Sequence, residues 1–386
     1  MLKAKSSETK VYFENLNAIR FIAASFVIVA HIEFFKKLFH LPNFFDNAVI
    51  SILGRLGVVL FFVLSGFLIS YLLFVEKKVT KTISVKKFYI RRILRIWPLY
   101  FLIILLAFFV FPSLEFFKIP NQVIASWDKN LIEFFLFCFL LPNLASSIRI
   151  FPFLPFASHT WSIGVEEQFY LIWPILIKKI KKRWLLMSLV IVIYLLINKI
   201  VMLLPFFEGL NVLKQFIQHT PIDCMAIGGI FALIAYENTK LVLKIRKFLF
   251  LKSVQWICLL TTLYLIGIGF RLKEYHYEFY ALFFGILVIN FACNSNRIFS
   301  MENSVFNYFG KISYGLYMYH PIVIVLMIKA LVIFKMEDNL ILLYTLVFSF
   351  TIVLSSLSYK YFESIFINKK KKYTEVISGD SAKEKI

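Results

Sequence analysis

The stretch "NAIRFIAASFVIVAH", Asn17 to His31, places an arginine and a histidine in an otherwise apolar run that continues to Phe35. Eleven residues at about 100° each come within roughly 20° of three full turns, so on a helix Arg20 and His31 share one face about 16 Å apart. An ionisable side chain in hydrocarbon costs about 2.5 to 3.5 kcal/mol on insertion scales, so such groups usually face a bundle interior and mark function. A histidine there has the chemistry of a general base toward a hydroxyl. A snorkelling arginine with a histidine bonded to a neighbouring helix satisfies the same spacing, and both readings stay open.

A second cluster lies in "SHTWSIGVEEQFYLIWP", Ser158 to Pro174. Glu166 and Glu167 point about 100° apart on a helix, so one of the two is expected to face His31. A carboxylate bonded to the imidazole would fix its tautomer and raise its basicity. A salt bridge to a membrane arginine, or an acid snorkelled to the surface, would use the same residues. A third cluster is "FYIRRILRIWPLY", where Arg91 and Arg95 are four apart and Arg92 and Arg95 three apart. One helical turn then offers two or three guanidiniums, which bind phosphate bidentately or anchor a helix beside anionic lipid.

Only membrane-embedded elements can position these groups. The 386-residue chain is 60% hydrophobic and 17% charged, with 46 phenylalanines, well above the 45 to 50% apolar content usual for soluble domains. The fold class is therefore an all-α integral membrane protein. Leu16 to Phe35, Val49 to Val75, Tyr89 to Phe111, Trp184 to Leu204, Phe248 to Phe270 and Leu340 to Leu357 are each long enough, at roughly 20 residues per span, to cross a bilayer as helices. No small-residue cleavage site follows the first, so it is expected to be retained.

The net charge of +21 could suggest nucleic acid, but the cations gather at particular helix ends. The clusters at Glu76 to Arg95, Lys178 to Arg183, Lys240 to Lys247 and Lys369 to Lys372 are read as cytoplasmic by the positive-inside rule. The loops near Pro112, Glu208, Lys273 and Met336 then lie outside. An odd number of spans must separate Pro112 from Lys178. Leu131 to Leu141 is too short to cross and reads as re-entrant or peripheral, which leaves Trp161 to Ile177 as the single crossing. The sum is about ten helices with both termini cytoplasmic.

Six segments in order, "LNAIRFIAASFVIVAH", "FFVLSGFLISYLL", "FYIRRILRIWPLY", "HTWSIGVEEQFYLIWP", "PIDCMAIGGIFALI" and "ISYGLYMYHPIVIVL", resemble the membrane acyltransferase family 3, the polytopic O-acyltransferases that modify bacterial surface glycans. The similarity runs from about residue 12 to 367. It implies a membrane acyltransferase domain over 12–367; the flanking segment 1–11 is read as cytoplasmic from the charge pattern, and 368–386, polar and charged, as a basic, disordered cytoplasmic tail. It also implies a ten-helix bundle in the bacterial cytoplasmic membrane, taking an acyl group from cytosolic acyl-CoA, acetyl-CoA foremost, to a hydroxyl of a cell-surface or lipid-linked glycan. The family's helix-one arginine and histidine fall on Arg20 and His31, and its arginine motif on Arg91, Arg92 and Arg95. Where many members have Asp-Gly-Leu before the first arginine, this chain has Asn17, Ala18 and Ile19. On this reading His31 is the base, aided by Glu166 or Glu167, and Arg20 holds the donor or stabilises the thioester oxyanion.

The remaining candidates are less specific. Ser65 and Gly66 in "FFVLSGF" allow close helix approach or leave a slot for a pantetheine-like chain, and no GxSxG surrounds Ser65. His320 in "SYGLYMYHP" reads equally as cavity lining or as a buried histidine with a backbone partner. Cys138, Cys224, Cys258 and Cys293 are scattered and form no CxxC pair. No HExxH, ligand cluster, phosphate loop or dinucleotide fingerprint is present, so neither a catalytic metal nor a nucleic-acid partner is expected. Oligomeric state cannot be read from the chain. A glycan-precursor transporter or flippase, or a non-catalytic partner in a glycan-assembly complex, would also place charge inside a bundle.

Overall fold

The computed structural model describes residues 9–120, 127–148, 154–204, 209–272 and 275–378. Residues 1–8 and 379–386, and the loop positions Glu208 and Lys273, lie outside that set. The first helix, α1 (Leu16–Leu38), starts at Asn15 with φ 61°, a left-handed conformation that asparagine tolerates. Its side chain accepts from the Met301 backbone N–H at 2.6 Å and donates to the Phe291 carbonyl at 3.0 Å. The start of α1 is thereby tied to a segment nearly 300 residues away in sequence, which sets the depth of Arg20 and His31.

In chain order there follow α2 (Ala48–Thr80), α3 (Val85–Leu105), α4 (Trp127–Cys138), α5 (Pro142–Ser147), α6 (Trp161–Lys179), α7 (Arg183–Leu203), α8 (Asn211–Gln218) and α9 (Ile222–Tyr236). The second half contains α10 (Lys240–Leu249), α11 (Lys252–Gly267), α12 (His276–Cys293), α13 (Ser304–Lys311), α14 (Ser313–Ile333), α15 (Leu340–Ser358) and α16 (Ser364–Lys370). Among the described residues eight helical stretches are long and apolar enough to cross a membrane. The pair α10 and α11, bent by 60° at their break, makes a ninth if it forms one span. The single span expected over Phe248 to Phe270 is thus divided. The 19 residues of α6 have the length of a crossing, but Glu166, Glu167, Lys178 and Lys179 set α6 apart in composition. Because α6 is not among the candidate spans, the described residues give eight or nine against the expected ten. The 12-residue α4 is about 18 Å long and too short to span.

Burial separates centre from rim: 72% of the apolar window is buried in both α2 and α14, against 28% in α7. The central pair α2 and α9 approach closely because both carry glycine at the contact. A Cβ on Gly66 would stand 1.9 Å from the Met225 carbonyl oxygen, and one on Gly228 would stand 2.2 Å from that of Val63. Gly66 therefore serves helix packing, while Ser65 beside it turns to a cavity.

The tail differs from the sequence expectation. Residues 364–370 form α16, and Ile377–Ser378 (β2) pair in parallel with Lys10–Val11 (β1). The two ends of the chain are joined by backbone hydrogen bonding, a pairing that composition does not show.

Candidate active site

Two cavities open inside the bundle, and α1 lines both. The first, of about 290 Å³, is lined by Arg20, Arg92, Arg95, Ser65, Glu166 and Lys370, among others. The second, of about 500 Å³, is lined by His31, His159, His219, Arg55, Glu133 and Trp161. Val58 and Tyr317 belong to both walls. The eleven-residue spacing thus puts Arg20 and His31 on one interior face, as the helical period requires, but in different chambers.

In the arginine chamber the cluster of α3 divides. Arg91 turns aside: it pairs with Glu76 at 3.0 Å and donates to the Tyr373 carbonyl at 2.8 Å. Arg92 lies over the rings of Phe88 and Tyr170, at 5.5 and 5.6 Å from their centroids, and its buried Nε has no hydrogen-bond partner. Arg95 lines the same space. Two of the three guanidiniums line one chamber, because successive helical positions point about 100° apart and Glu76 takes the third. Arg20 donates to Asn17 Oδ1 at 2.9 Å. Tyr170 donates to Glu166 Oε2 at 2.7 Å and is hydrogen-bonded to Ser65. With the Tyr170 O–H directed at Glu166, Ser65 is the donor in that second contact.

Neither glutamate is bonded to His31. Glu166 faces the arginine chamber, and Glu167 accepts from Trp97 Nε1 at 2.9 Å. The reason is depth: these residues lie five and six positions into α6, roughly 8 Å past its start. At the level of His31 stands the beginning of that helix, with His159 just before it. The oxyanion role suggested for Arg20 meets the same obstacle, since about three helical turns separate it from His31.

The partner of His31 is another histidine. His31 Nδ1 lies 2.6 Å from His320 Nε2, with the ring planes 9° apart. His320 Nδ1 lies 2.6 Å from the Tyr317 carbonyl oxygen. That carbonyl is available because residue 321 is proline and has no N–H for the usual helical bond to position 317. A carbonyl only accepts, so His320 carries its proton on Nδ1. In a neutral pair its Nε2 then accepts from His31 Nδ1–H, which leaves the lone pair of His31 on Nε2. The tautomer expected from a carboxylate is supplied instead by a helix carbonyl through a second imidazole.

His159 completes this corner. Its ring lies 5.2 Å from that of His320 and 5.3 Å from that of Tyr317. It is buried, and neither ring nitrogen has a hydrogen-bond partner. Tyr317 OH donates to the His159 carbonyl at 2.5 Å and lies 2.8 Å from Ser162 Oγ. These contacts fix the wall between the chambers. His159 stands in the Ser158 to Pro174 cluster with no local mark to single it out, and Lys370 lies in the segment whose composition reads as a disordered tail. The His-Pro pair at 320 and 321 was the available signal for the first corner; nothing local marked Lys370. Among the described residues no group of three or more metal-ligating side chains is placed to hold a metal ion.

A helical bundle of this hydropathy, with a cation-lined chamber and an imidazole chamber meeting at Tyr317, defines a multi-pass membrane protein. The chain belongs to the acyltransferase family: the family described as an acyltransferase domain matches residues 13–360. It is 26% identical over 365 residues to a provisionally named O-acetyltransferase of Staphylococcus aureus (strain COL), covering 86% of this chain and 58% of that protein. It is 27% identical over 331 residues to the O-acetyltransferase OatA of Staphylococcus aureus (strain NCTC 8325 / PS 47), covering 81% of this chain and 51% of that one. To the peptidoglycan O-acetyltransferase OatA of Listeria monocytogenes it is 28% identical over 197 residues, 49% of this chain and 29% of the relative. The chain thus spans little more than half the length of the first of these relatives. No solved structure matches it.

Proposed function

We propose that the protein is a membrane O-acyltransferase that moves an acyl group, acetyl by its relatives' names, from acyl-CoA to a hydroxyl of a glycan. The observation that carries this reading is the pair of chambers sharing Tyr317, one rich in cations and the other holding an oriented imidazole. The basic helix ends support an orientation in the bacterial cytoplasmic membrane with the arginine chamber and both termini toward the cytoplasm. Cytosolic acyl-CoA then enters at Arg92 and Arg95, and the acceptor glycan meets His31 on the far side. The arm between the diphosphate and the sulfur of coenzyme A has about twelve chain atoms, equivalent to about four extended residues or about 14 Å. That length is close to the rise from Arg20 to His31.

In this mechanism Arg92 and Arg95 hold the phosphates, Arg20 adds charge beside them, and Ser65 lines the path of the arm. His31 Nε2 takes the proton of the acceptor hydroxyl as its oxygen attacks the thioester carbonyl carbon. His159, with both ring nitrogens unpartnered, donates to the developing oxyanion. The carbon–sulfur bond then breaks, and the thiolate of coenzyme A leaves with the proton carried by His31. Glu166 acts at a distance, by holding Tyr170 against Arg92, and Glu167 anchors Trp97.

The test is to reconstitute the purified protein in vesicles with labelled acetyl-CoA and a defined glycan. The expected result is release of free coenzyme A together with an alkali-labile acetyl ester on the glycan. Movement of an unaltered glycan across the bilayer, with the thioester intact, would replace this reading with transport.

A further inference from the structure

The arginine chamber holds more charge than the arginine motif brings. Its described lining carries Arg20, Arg92, Arg95, Lys311 and Lys370 against a single carboxylate, Glu166. Five cations and one carboxylate thus line a cavity of about 290 Å³. Like charges gathered at such range repel, and more strongly inside a bundle than in water. A fold that assembles them from α1, α3, α13 and α16 is suited to a polyanion.

Lys370 is the cation whose presence needs the most structure. It ends α16, in the segment that composition reads as a loose tail. Three contacts hold the chain beyond it: Arg91 donates to the Tyr373 carbonyl at 2.8 Å, Lys87 pairs with Glu375, and β2 pairs with β1 in parallel register, Lys10 opposite Ile377. Val11 and Tyr12, on or beside β1, themselves line the chamber. Arg91, turned away from the cavity, is thus a fastener of the segment whose lysine enters it.

We propose that Lys370 is a donor-binding residue whose ammonium meets a phosphate of acyl-CoA, and that the paired chain ends form the strap holding it in place. The inference rests on the acyl-CoA reading above. An acyl-CoA carries about four negative charges, two on its diphosphate and up to two on its 3′-phosphate. The cations lining the chamber suit that charge, and Lys370 is the one that the paired chain ends bring to it. Lysine suits the position because its ammonium acts as a point charge toward phosphate without the fixed fork of arginine.

The experiment is titration of the full-length protein, in detergent or nanodiscs, with coenzyme A. Lys370→Ala is expected to raise the dissociation constant at least about tenfold, the size of one charge-assisted hydrogen bond. Lys370→Arg should restore it to within about threefold. Lys372→Ala removes an equal charge from an exposed position of the same segment and should leave affinity unchanged. Melting temperatures of the same samples separate loss of fold from loss of a contact. If wild-type protein binds no coenzyme A, the donor reading fails and Lys370 loses its role with it. If wild type binds and folded Lys370→Ala binds equally well, or Lys372→Ala is equally impaired, the strap proposal alone is overturned.

Discussion

The two chambers are built on opposite principles. The arginine chamber collects long, flexible side chains from four elements and owes its character to summed charge, with one member, Arg92, laid over the faces of Phe88 and Tyr170. The histidine corner is a linear relay, carbonyl of Tyr317 to His320 to His31, in which both links are 2.6 Å and each ring has one role. Charge adds up and tolerates displacement. A tautomer relay does neither, because losing one link leaves the next proton undirected. A binding site can therefore be dispersed over the chain, whereas a general base must be held by neighbours that are themselves held.

The largest expected effect falls on the relay's end. His31→Ala should lower acyl transfer by about 10²- to 10⁴-fold, with coenzyme A affinity near wild type. His31→Gln keeps a hydrogen bond but cannot accept the proton; a glutamine variant with more than about half the activity would make His31 structural. Next comes the charge site. Arg92→Gln with Arg95→Gln should raise the coenzyme A dissociation constant by about a hundredfold, two charge-assisted bonds at about tenfold each. An unchanged constant in the folded double variant would return these arginines to lipid anchoring.

A smaller loss is expected one link back. His320→Ala should reduce turnover by about 10- to 100-fold, by analogy with the loss of partners that orient metal-ligating imidazoles, without altering donor affinity. His320→Gln, whose amide oxygen can accept from His31 Nδ1–H, should recover part of it. Nitrogen NMR of labelled histidine checks the cause directly: the wild-type His31 signal should be that of the Nδ1–H tautomer and should become mixed in His320→Ala. Equal impairment of the alanine and glutamine variants would remove His320 from the relay. The smallest effect on the donor should come from Arg91→Gln. Leaving Glu76 buried without its cation is expected to lower the melting temperature, while the coenzyme A dissociation constant moves by less than about threefold, because Lys87 on Glu375 and the β1–β2 pairing still hold the segment that carries Lys370. A larger shift in affinity than in melting temperature would put Arg91 back among the phosphate ligands.

How far the site was legible differs residue by residue. Arg20 and His31 were found because helical period is a local property, and the period held. Arg92 and Arg95 were found with Arg91 attached, since spacing cannot tell which guanidinium a glutamate fifteen residues away will claim. Glu166 and Glu167 stood out as charges in an apolar run, but their partners depend on where α6 begins relative to α1. His320 was noticed without its role, and His159 not at all, because a histidine near a helix start carries no local mark of what it will face.

The amino-acid order by itself determined the apolar spans, the places where charge enters them, and the face that Arg20 and His31 share. These follow from composition and from 3.6 residues per turn, which act over a few turns of one helix. Pairing His31 with His320 across 289 positions, dividing the arginines between chamber and strap, and drawing Lys370 from the tail into the cavity were settled only when the helices packed. Depth and rotation of one helix against another are fixed by contacts such as Gly66 on Met225 and Asn15 on Met301, and a segment does not contain its partner's surface.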